Sequence, residues 1–487
     1  MVLSELLKGI QVLEATVSME AEVRGVSYDS RQTAPGDLFI AVTGYETDGH
    51  LYIPKAKERG AALVLCERRP ETAIPYVRVA STREALAQIG ANWFGNPADQ
   101  MTMIGVTGTN GKTTVTTIFK SVLEQTVGAK VGLIGTIQNM IGDEAIHTER
   151  TTPESFEVQR LFARMRDAGC THVVMEVSSH ALVLHRVDCV HFAVGAFTNL
   201  TQDHLDFHKT MEEYRKAKSI LFRRCDTGVF NLDDPAADAM IRDADCRILT
   251  NAETRADADF FAKNIDLEAD RVEFDVVHGG ENAHIIMGIP GQFTVYNVLT
   301  VIGCASALGI PLQKTAAALR EVHGVKGRIE VVPTPGRDFT VLIDYAVTPD
   351  AIDNILRTVR GFCKGRLIAV FGCGGDRDRT KRPIMAKISL ELADLVVFTS
   401  DNPRTEDPFA ILRDILKGAE GTKTPYYVEE NRRAAIRWAM DHAEKDDIIV
   451  LAGKGHETYQ ILGKEKTHLD EREEVAAHLL EMKGRDA

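Results

Sequence analysis

The sequence has no basic excess. Its 57 Lys and Arg residues stand against 70 Asp and Glu, a formal net charge of −13. General binders of nucleic acid or of anionic membranes carry the opposite balance, although a locally positive cleft for an anionic ligand stays open. Paired cysteines are also lacking. Cys66, Cys170, Cys189, Cys225, Cys246, Cys304, Cys363 and Cys373 are scattered, form no C-x-x-C, and mostly sit in or beside apolar runs. That spacing argues against a disulfide framework or zinc ribbon. No uninterrupted apolar run reaches membrane-spanning length, and Met1 to Gly9 has no charged region followed by a sustained apolar stretch. A cytoplasmic, reducing location without membrane insertion or nucleic-acid partner is expected. The rest is ordinary for a globular protein: 44% hydrophobic, 26% charged, and at 487 residues long enough for several domains with their own cores.

The strongest single feature is Gly105 to Thr114. Met101 to Val106 reads as a short buried strand and the chain from Lys112 onward as a helix. Between them lies Gly108-Thr109-Asn110-Gly111-Lys112-Thr113-Thr114, a tighter variant of the phosphate loop in which Val106 occupies the place of the first glycine. Glycines let backbone amides approach phosphate oxygens, and the helix start adds unpaired N–H groups. Lys112 can reach the terminal phosphates and Thr113 can hold Mg²⁺. The alternative is an ordinary glycine-rich strand-to-helix turn.

In chain order, residues 1–99 form a first α/β region, with strands at Asp37 to Val42 and Ala62 to Cys66 and a helix from Tyr52 to Arg59 between them. Ser27 to Arg31 and Gly44 to His50 are polar clusters that alone read as turns. Residues 100–331 alternate strand, loop and helix in the manner of a central parallel sheet. Strands at His172 to Val177 and Ala193 to Phe197 lead into Glu176-Val177-Ser178-Ser179-His180 and into Thr198 to His208. Strand ends of a parallel sheet share one edge, so Glu176 and the Asp203, His204, Asp206 and His208 cluster are expected beside the phosphate loop. Thr113 and Glu176 suit Mg²⁺; a zinc site or loop capping is the alternative for the His and Asp cluster, of which one or two members are expected to help magnesium. Val295 to Leu308 reads as an apolar helix carrying Asn297, either a base contact or a cap. Residues 332–487 form a third, Rossmann-like α/β region. Its strands lead to Asp344-Tyr345, Gly372 to Arg379, Asp401 to Arg404 and Gly453 to Glu457, placing Arg377, Arg404, Lys454 and Glu457 on a second edge. Two arginines near a carboxylate suggest a zwitterionic ligand that carries carboxylates.

Taken together, Asp29-Ser30-Arg31, Gly108 to Thr114, Thr151-Thr152-Pro153-Glu154, Glu176 to His180, Thr198 to Asp206, Gly327-Arg328, Asp401 to Arg404 and Gly453 to Glu457 resemble the Mur ligase family, over nearly the whole chain. The resemblance implies three domains, for the UDP substrate, ATP and the incoming amino acid. It also implies ATP-driven peptide-bond formation through an acyl phosphate, with ATP and Mg²⁺ required. Ser30, Thr151, Thr152, Ser178 and Arg186 would contact the nucleotide-sugar substrate, UDP-N-acetylmuramoyl-L-alanyl-D-glutamate. Lys112, Glu176, His204 and Lys218 would form the catalytic centre. Thr113, Glu176 and His204 would be metal ligands, joined by Lys218 once carbamylated by CO₂. Asn297 would contact adenine, and Arg328 and Asp344 the nucleotide.

The resemblance further places Arg377, Asp401, Asn402, Pro403, Arg404, Gly453 and Glu457 on the amino acid. Arg404 marks meso-diaminopimelate as the amino-acid partner, whereas lysine-adding relatives carry other residues there. A folylpolyglutamate synthase-like ligase is disfavoured by residues 1–99 ahead of the phosphate loop, and a mere nucleotide switch by the second edge. A monomer is expected. Val347, Leu184 and Thr294 depart from the family's usual His, Gln and Asn, which implies altered affinity and an unchanged reaction.

Overall fold

A computed structural model describes residues 1–44, 47–148, 150–322 and 324–486. The chain divides into two compact units, Met1–Asn251 with Thr300–Pro311, and Ala252–Leu299 with Leu312–Ala487.

The first unit holds two sheets. The smaller runs Glu14–Ala15, Tyr76–Arg78, Leu63–Cys66, Asp37–Ile40, Gly25–Ser27, parallel except for its first strand. Asp37–Ile40 and Leu63–Cys66 are buried at every position, as near-continuous apolar strands covered on both faces must be. Ser81 starts the helix Thr82–Trp93 by accepting from Glu84 N at 3.2 Å, satisfying one of the helix's unpaired donors. The larger sheet has a parallel body in the order Arg247–Ala252, Cys225–Asn231, Phe192–Phe197, Thr102–Thr107, His172–Glu176, Val131–Ile134. The antiparallel strands Asn139–Ile141 and Glu144–Ile146 extend it. The register matters for function. Glu176 pairs with Val106 and Phe197 with Thr107, so three motif-bearing strands end side by side around the phosphate loop.

In the second unit, Phe260–Leu267, Val272–His278 and Glu281–Met287 form an antiparallel meander. This corrects the expectation that residues 100–331 alternate strand and helix throughout. The middle strand is buried at alternate positions over most of its length, so only one face is covered, which suits antiparallel hairpins and not a doubly covered parallel sheet. A six-stranded sheet follows, Glu330–Val332, Thr340–Asp344, Ile448–Ala452, Leu367–Phe371, Leu395–Phe398, Tyr426–Val428, with only the first strand antiparallel. Asp344 and Phe371 both pair with Ala452, which aligns the loops after them. The α/β class and its three sheet regions agree with expectation. All eight cysteines are free, and no described helix is long and apolar enough to cross a membrane.

Candidate functional site

The phosphate loop is shaped by its neighbours. Gly108 has φ 145°, and a Cβ there would lie 1.9 Å from Thr198 Oγ1, so only glycine fits. Thr198 Oγ1 donates to Asn110 O at 2.6 Å, Asn110 N donates to Asn199 Oδ1 at 2.9 Å, and Thr109 N donates to Asn199 O at 2.8 Å. Thr109 Oγ1 also meets Tyr214 Oη at 3.3 Å. Lys112 turns back onto the loop, with Nζ 2.9 Å from Gly108 O and 2.8 Å from Thr109 O. Thr113 and Thr114 stand in the first turn of the helix Lys112–Val127.

Lys218 is 1% exposed, and its Nζ donates to the same Gly108 carbonyl at 2.8 Å. The Tyr214 ring lies 4.4 Å from that nitrogen. Burial, with the Lys112 charge adding to it, pushes the Lys218 amine well below the ordinary lysine range. Glu176, 1% exposed, accepts from Thr136 N at 2.8 Å and Thr136 Oγ1 at 3.0 Å. It has no cation partner among the described residues. Thr136 Oγ1 in turn meets Thr151 Oγ1 at 3.0 Å. His204 adopts φ 53°, its ring 4.8 Å from that of His180. His208 is instead buried against Ser179 Oγ at 2.9 Å, a structural contact. Asp203 pairs with His204 at 3.4 Å, and the side chain of Asp206 lies outside the described residues.

A chain of contacts leads from Glu176 to the N-terminal region. Thr152 Oγ1 donates to Glu176 O at 2.8 Å and lies 3.4 Å from Ser178 Oγ, which caps the helix Ser179–Val183. Arg186 donates to Thr152 O at 3.1 Å and pairs with Glu154 at 2.7 Å, while its buried Nε has no partner among the described residues. A buried donor without a partner is costly, and a ligand acceptor would satisfy it. Ser30 lines a separate cavity of about 490 Å³ with Tyr28, Asp29, Arg31, Arg150 and Glu154.

In the second unit, Asn297 is 9% exposed on the helix Gln292–Ala307. Arg328 and Asp344 share a corner. Ile329 N donates to Asp344 at 2.9 Å, and the Arg328 guanidinium lies 5.8 Å from the Tyr345 ring centre. Burial raises the Asp344 carboxyl, and Arg328 opposes that shift. The other motif loops meet around Lys454, which is 0% exposed. Its Nζ lies 2.6 Å from Asn402 Oδ1, 3.1 Å from Asp401 and 3.2 Å from Glu457. Asn402 Nδ2 donates to Glu457 Oε2 at 2.9 Å. Arg404, at φ 52°, donates to Gly375 O at 2.9 Å. Gly453 follows its strand with φ 119°. Arg377, on the Gly372 to Arg379 loop, donates to Asp376 O at 3.0 Å.

Three family models match in order: the Mur ligase family catalytic domain over residues 22–94, the Mur ligase middle domain over 106–305, and the Mur ligase glutamate ligase domain over 327–455. The chain is 48% identical over 482 residues to a UDP-N-acetylmuramoyl-L-alanyl-D-glutamate–2,6-diaminopimelate ligase of Caldanaerobacter subterraneus subsp. tengcongensis, covering 98% of this chain and 99% of that one. It is 47% identical over 460 residues to the Clostridium botulinum protein of the same name, covering 93% and 94%. A solved structure of a ligase so named has a TM-score of 0.74 at 30% identity, covering 99% of both chains.

The chain belongs to the Mur ligase family.

In this Mur ligase three residues that sequence reasoning missed stand at the two centres. Thr136 joins Glu176 to Thr151, but a lone threonine after a strand carries no spacing signal. Asn199 grips the phosphate loop, and its position in the Thr198 to Asp206 motif was its only cue. Arg382 is 0% exposed and donates to Gly374 O, Glu406 and Asp414, tying the loop that bears Arg377 to the one after Arg404. The departures also find places. Val347 serves through its carbonyl, which accepts from Lys381 Nζ at 2.8 Å. Thr294 is buried and donates to Pro290 O at 3.2 Å. Leu184 ends the helix Ser179–Val183, half-buried.

Proposed function

We propose that this Mur ligase joins meso-diaminopimelate to UDP-N-acetylmuramoyl-L-alanyl-D-glutamate in the cytoplasm, converting ATP to ADP and phosphate, in peptidoglycan precursor synthesis. A substrate carboxylate oxygen attacks the γ-phosphorus and ADP leaves, giving an acyl phosphate. The amine nitrogen then attacks the acyl carbon, phosphate departs, and the amine gives up a proton. The loop Gly108 to Thr114 cradles the phosphates, and Lys112 swings from its carbonyl partners to the transferring group. Asn297, Arg328 and Asp344 hold the rest of the nucleotide. Ser30, Thr151, Thr152, Ser178 and Arg186 hold the UDP substrate, and Asp401 to Arg404, Arg377, Gly453 and Glu457 the amino acid.

Thr113, Glu176, His204 and carbamylated Lys218 would hold Mg²⁺. The fit rests on Glu176, a buried carboxylate with no protein cation against it. Among the described residues no three His, Cys, Asp or Glu side chains are gathered for a metal, which suits an ion that keeps waters and phosphate oxygens as ligands. Bound there, it would neutralise charge on the transferring phosphoryl group.

The observation that carries the choice of amino acid is the layout of the second edge. The Arg404 guanidinium makes its hydrogen bond to a carbonyl, Gly375 O, and Arg404 follows Asn402 by two residues on the loop whose Asn402 amide donates to the Glu457 carboxylate. An amino acid with an ammonium and an additional carboxylate complements that layout. The test is a product assay by mass spectrometry with Mg-ATP and the UDP substrate, meso-diaminopimelate and L-lysine being supplied in parallel. Tripeptide product with diaminopimelate alone is expected. Product with lysine alone overturns the role of Arg404 and keeps the ligase; product with neither overturns the reaction.

A further inference from the structure

Lys454 lies outside the residues assigned above to the amino acid, yet every polar contact of its ammonium is with a group on that edge. It is a fully buried cation between two carboxylates, Asp401 at 3.1 Å and Glu457 at 3.2 Å, with Asn402 Oδ1 closer still at 2.6 Å. Taking a lysine out of water carries a large desolvation cost, which the surrounding carboxylates and amide offset only where their geometry around it is good. Two of these three have consequences for a ligand.

The first is the Asn402 amide. Its oxygen accepts from Lys454 Nζ and from Ile461 N at 2.9 Å, and its nitrogen donates to Glu457 Oε2 at 2.9 Å. An amide so held cannot rotate to exchange oxygen and nitrogen, so its remaining N–H is fixed as a donor, the polarity that a carboxylate requires. The second is Glu457. Oε2 is engaged by both Lys454 and Asn402, leaving Oε1, which accepts only a long 3.4 Å hydrogen bond from Tyr459 Oη, with acceptor capacity for a ligand. One cation between two carboxylates leaves the group net negative, which favours an incoming ammonium. The arrangement reaches across the chain, from the loop after Leu395–Phe398 to the loop after Ile448–Ala452.

We propose that Lys454 is the positioning residue for amino-acid recognition, orienting Asn402 as a carboxylate donor and Glu457 as an ammonium acceptor without itself touching the ligand. The proposal rests on the reading of this edge as the amino-acid site.

The test is steady-state kinetics of Lys454→Met and Lys454→Arg, each substrate varied in turn with the others saturating. Thermal unfolding and binding of a fluorescent ADP analogue serve as controls for folding. Methionine keeps the stem and leaves the buried Asp401 and the partly buried Glu457 without this cation, so KM for diaminopimelate rises roughly 30-fold or more. The KM values for ATP and the UDP substrate stay within about twofold of wild type, a split that general loss of structure does not produce. Arginine keeps the charge but cannot place a compact donor on Asn402, so its KM for diaminopimelate falls between the two. If Lys454→Met is not recovered folded, Lys454→Arg decides alone: a selective rise supports the role and unchanged constants overturn it. Equal rises in all three KM values, or none, also overturn it. Wild-type protein runs in the same assay. If it forms no product the reaction itself is wrong, whereas wild-type product without the selective effect removes only the role of Lys454.

Discussion

At the residue scale the two centres use charge in opposite ways. Arg404 holds its guanidinium ready at the second edge, with Gly375 O as its hydrogen-bond partner. On the proposed reading, Arg404→Ala removes a charge-assisted contact to the distal carboxylate, worth about 2–3 kcal/mol, so kcat/KM for diaminopimelate is expected to fall on the order of 10²-fold. The preference over lysine, measured as the ratio of the two kcat/KM values, collapses with it. An unaltered ratio would show that some other group reads the distal carboxylate. Lys218 is instead shifted toward its neutral form. Its amine is depressed by burial and by Lys112, so the uncharged form that reacts with CO₂ is present at lower pH than for an exposed lysine. As pH falls through that depressed value the amine protonates and the carbamate is lost. Activity should therefore fall toward acid and in CO₂-depleted buffer, recover on adding bicarbonate near neutrality, and be indifferent to bicarbonate in Lys218→Ala. Carbon-labelled bicarbonate leaving no carbamate signal by NMR in wild type would refute this. Arg404 stood out in the sequence because its motif carries it, whereas Lys218 entered only through the family resemblance. The burial of Lys454 was not legible: GKGHE reads as a charged turn, and only the folded edge reveals carboxylates on either side of its ammonium.

At the element scale the phosphate loop is less a free turn than a segment clamped by the strand end beside it. Thr198 and Asn199 take up both the N–H and the carbonyl of Asn110, and Gly108 packs against Thr198 too closely for any side chain. Gly108→Ala should thus push the loop off Thr198 and also strain a backbone at φ 145°. The expected result is a loss of ADP affinity on the order of 10-fold with a fall in Tm of only a few degrees, about 1–3 kcal/mol of strain being shared between them. Isothermal titration with ADP checks it, and wild-type affinity would mean the clamp is dispensable. Strand-then-polar-motif spacing made this edge legible, since register in a parallel sheet forces such motifs together. The meander Phe260–Met287 was not legible as antiparallel. Its strands are polar on one face and carry no functional motif, so no motif anchors them to a sheet edge as the strands before them are anchored.

For the whole molecule, the order of motifs from Asp29 to Glu457 was enough to place the α/β class and its successive sheets, because each motif is anchored to a strand end. What such reading misses is the balance of ionic contacts that decides how the fold meets acid. Arg69 and Tyr76 hold Glu14 down to about 2, and Arg215 does the same for Glu212, also to about 2. Burial would raise Asp48, but Arg68 and His50 outweigh it and bring it to about 2. Each carboxylate binds its proton more weakly folded than unfolded, so its contribution is complete above the unfolded value near 4 and is lost as pH falls toward 2. Asp344 and Glu471 act in the other direction. Burial raises both, so their protonation favours the folded chain as pH drops toward the unfolded value near 4 and adds nothing below it. The depressed group is larger and partly exposed, which predicts a decline in Tm between about pH 4 and pH 2 that added salt makes shallower by screening. Glu14→Gln should blunt that decline by lowering the melting temperature near neutral pH toward its acid value, with little change at about pH 2. Thermal melts across this range decide the matter: a Tm that does not fall between about pH 4 and pH 2 would mean that the surface pairs do not control the molecule's response to acid.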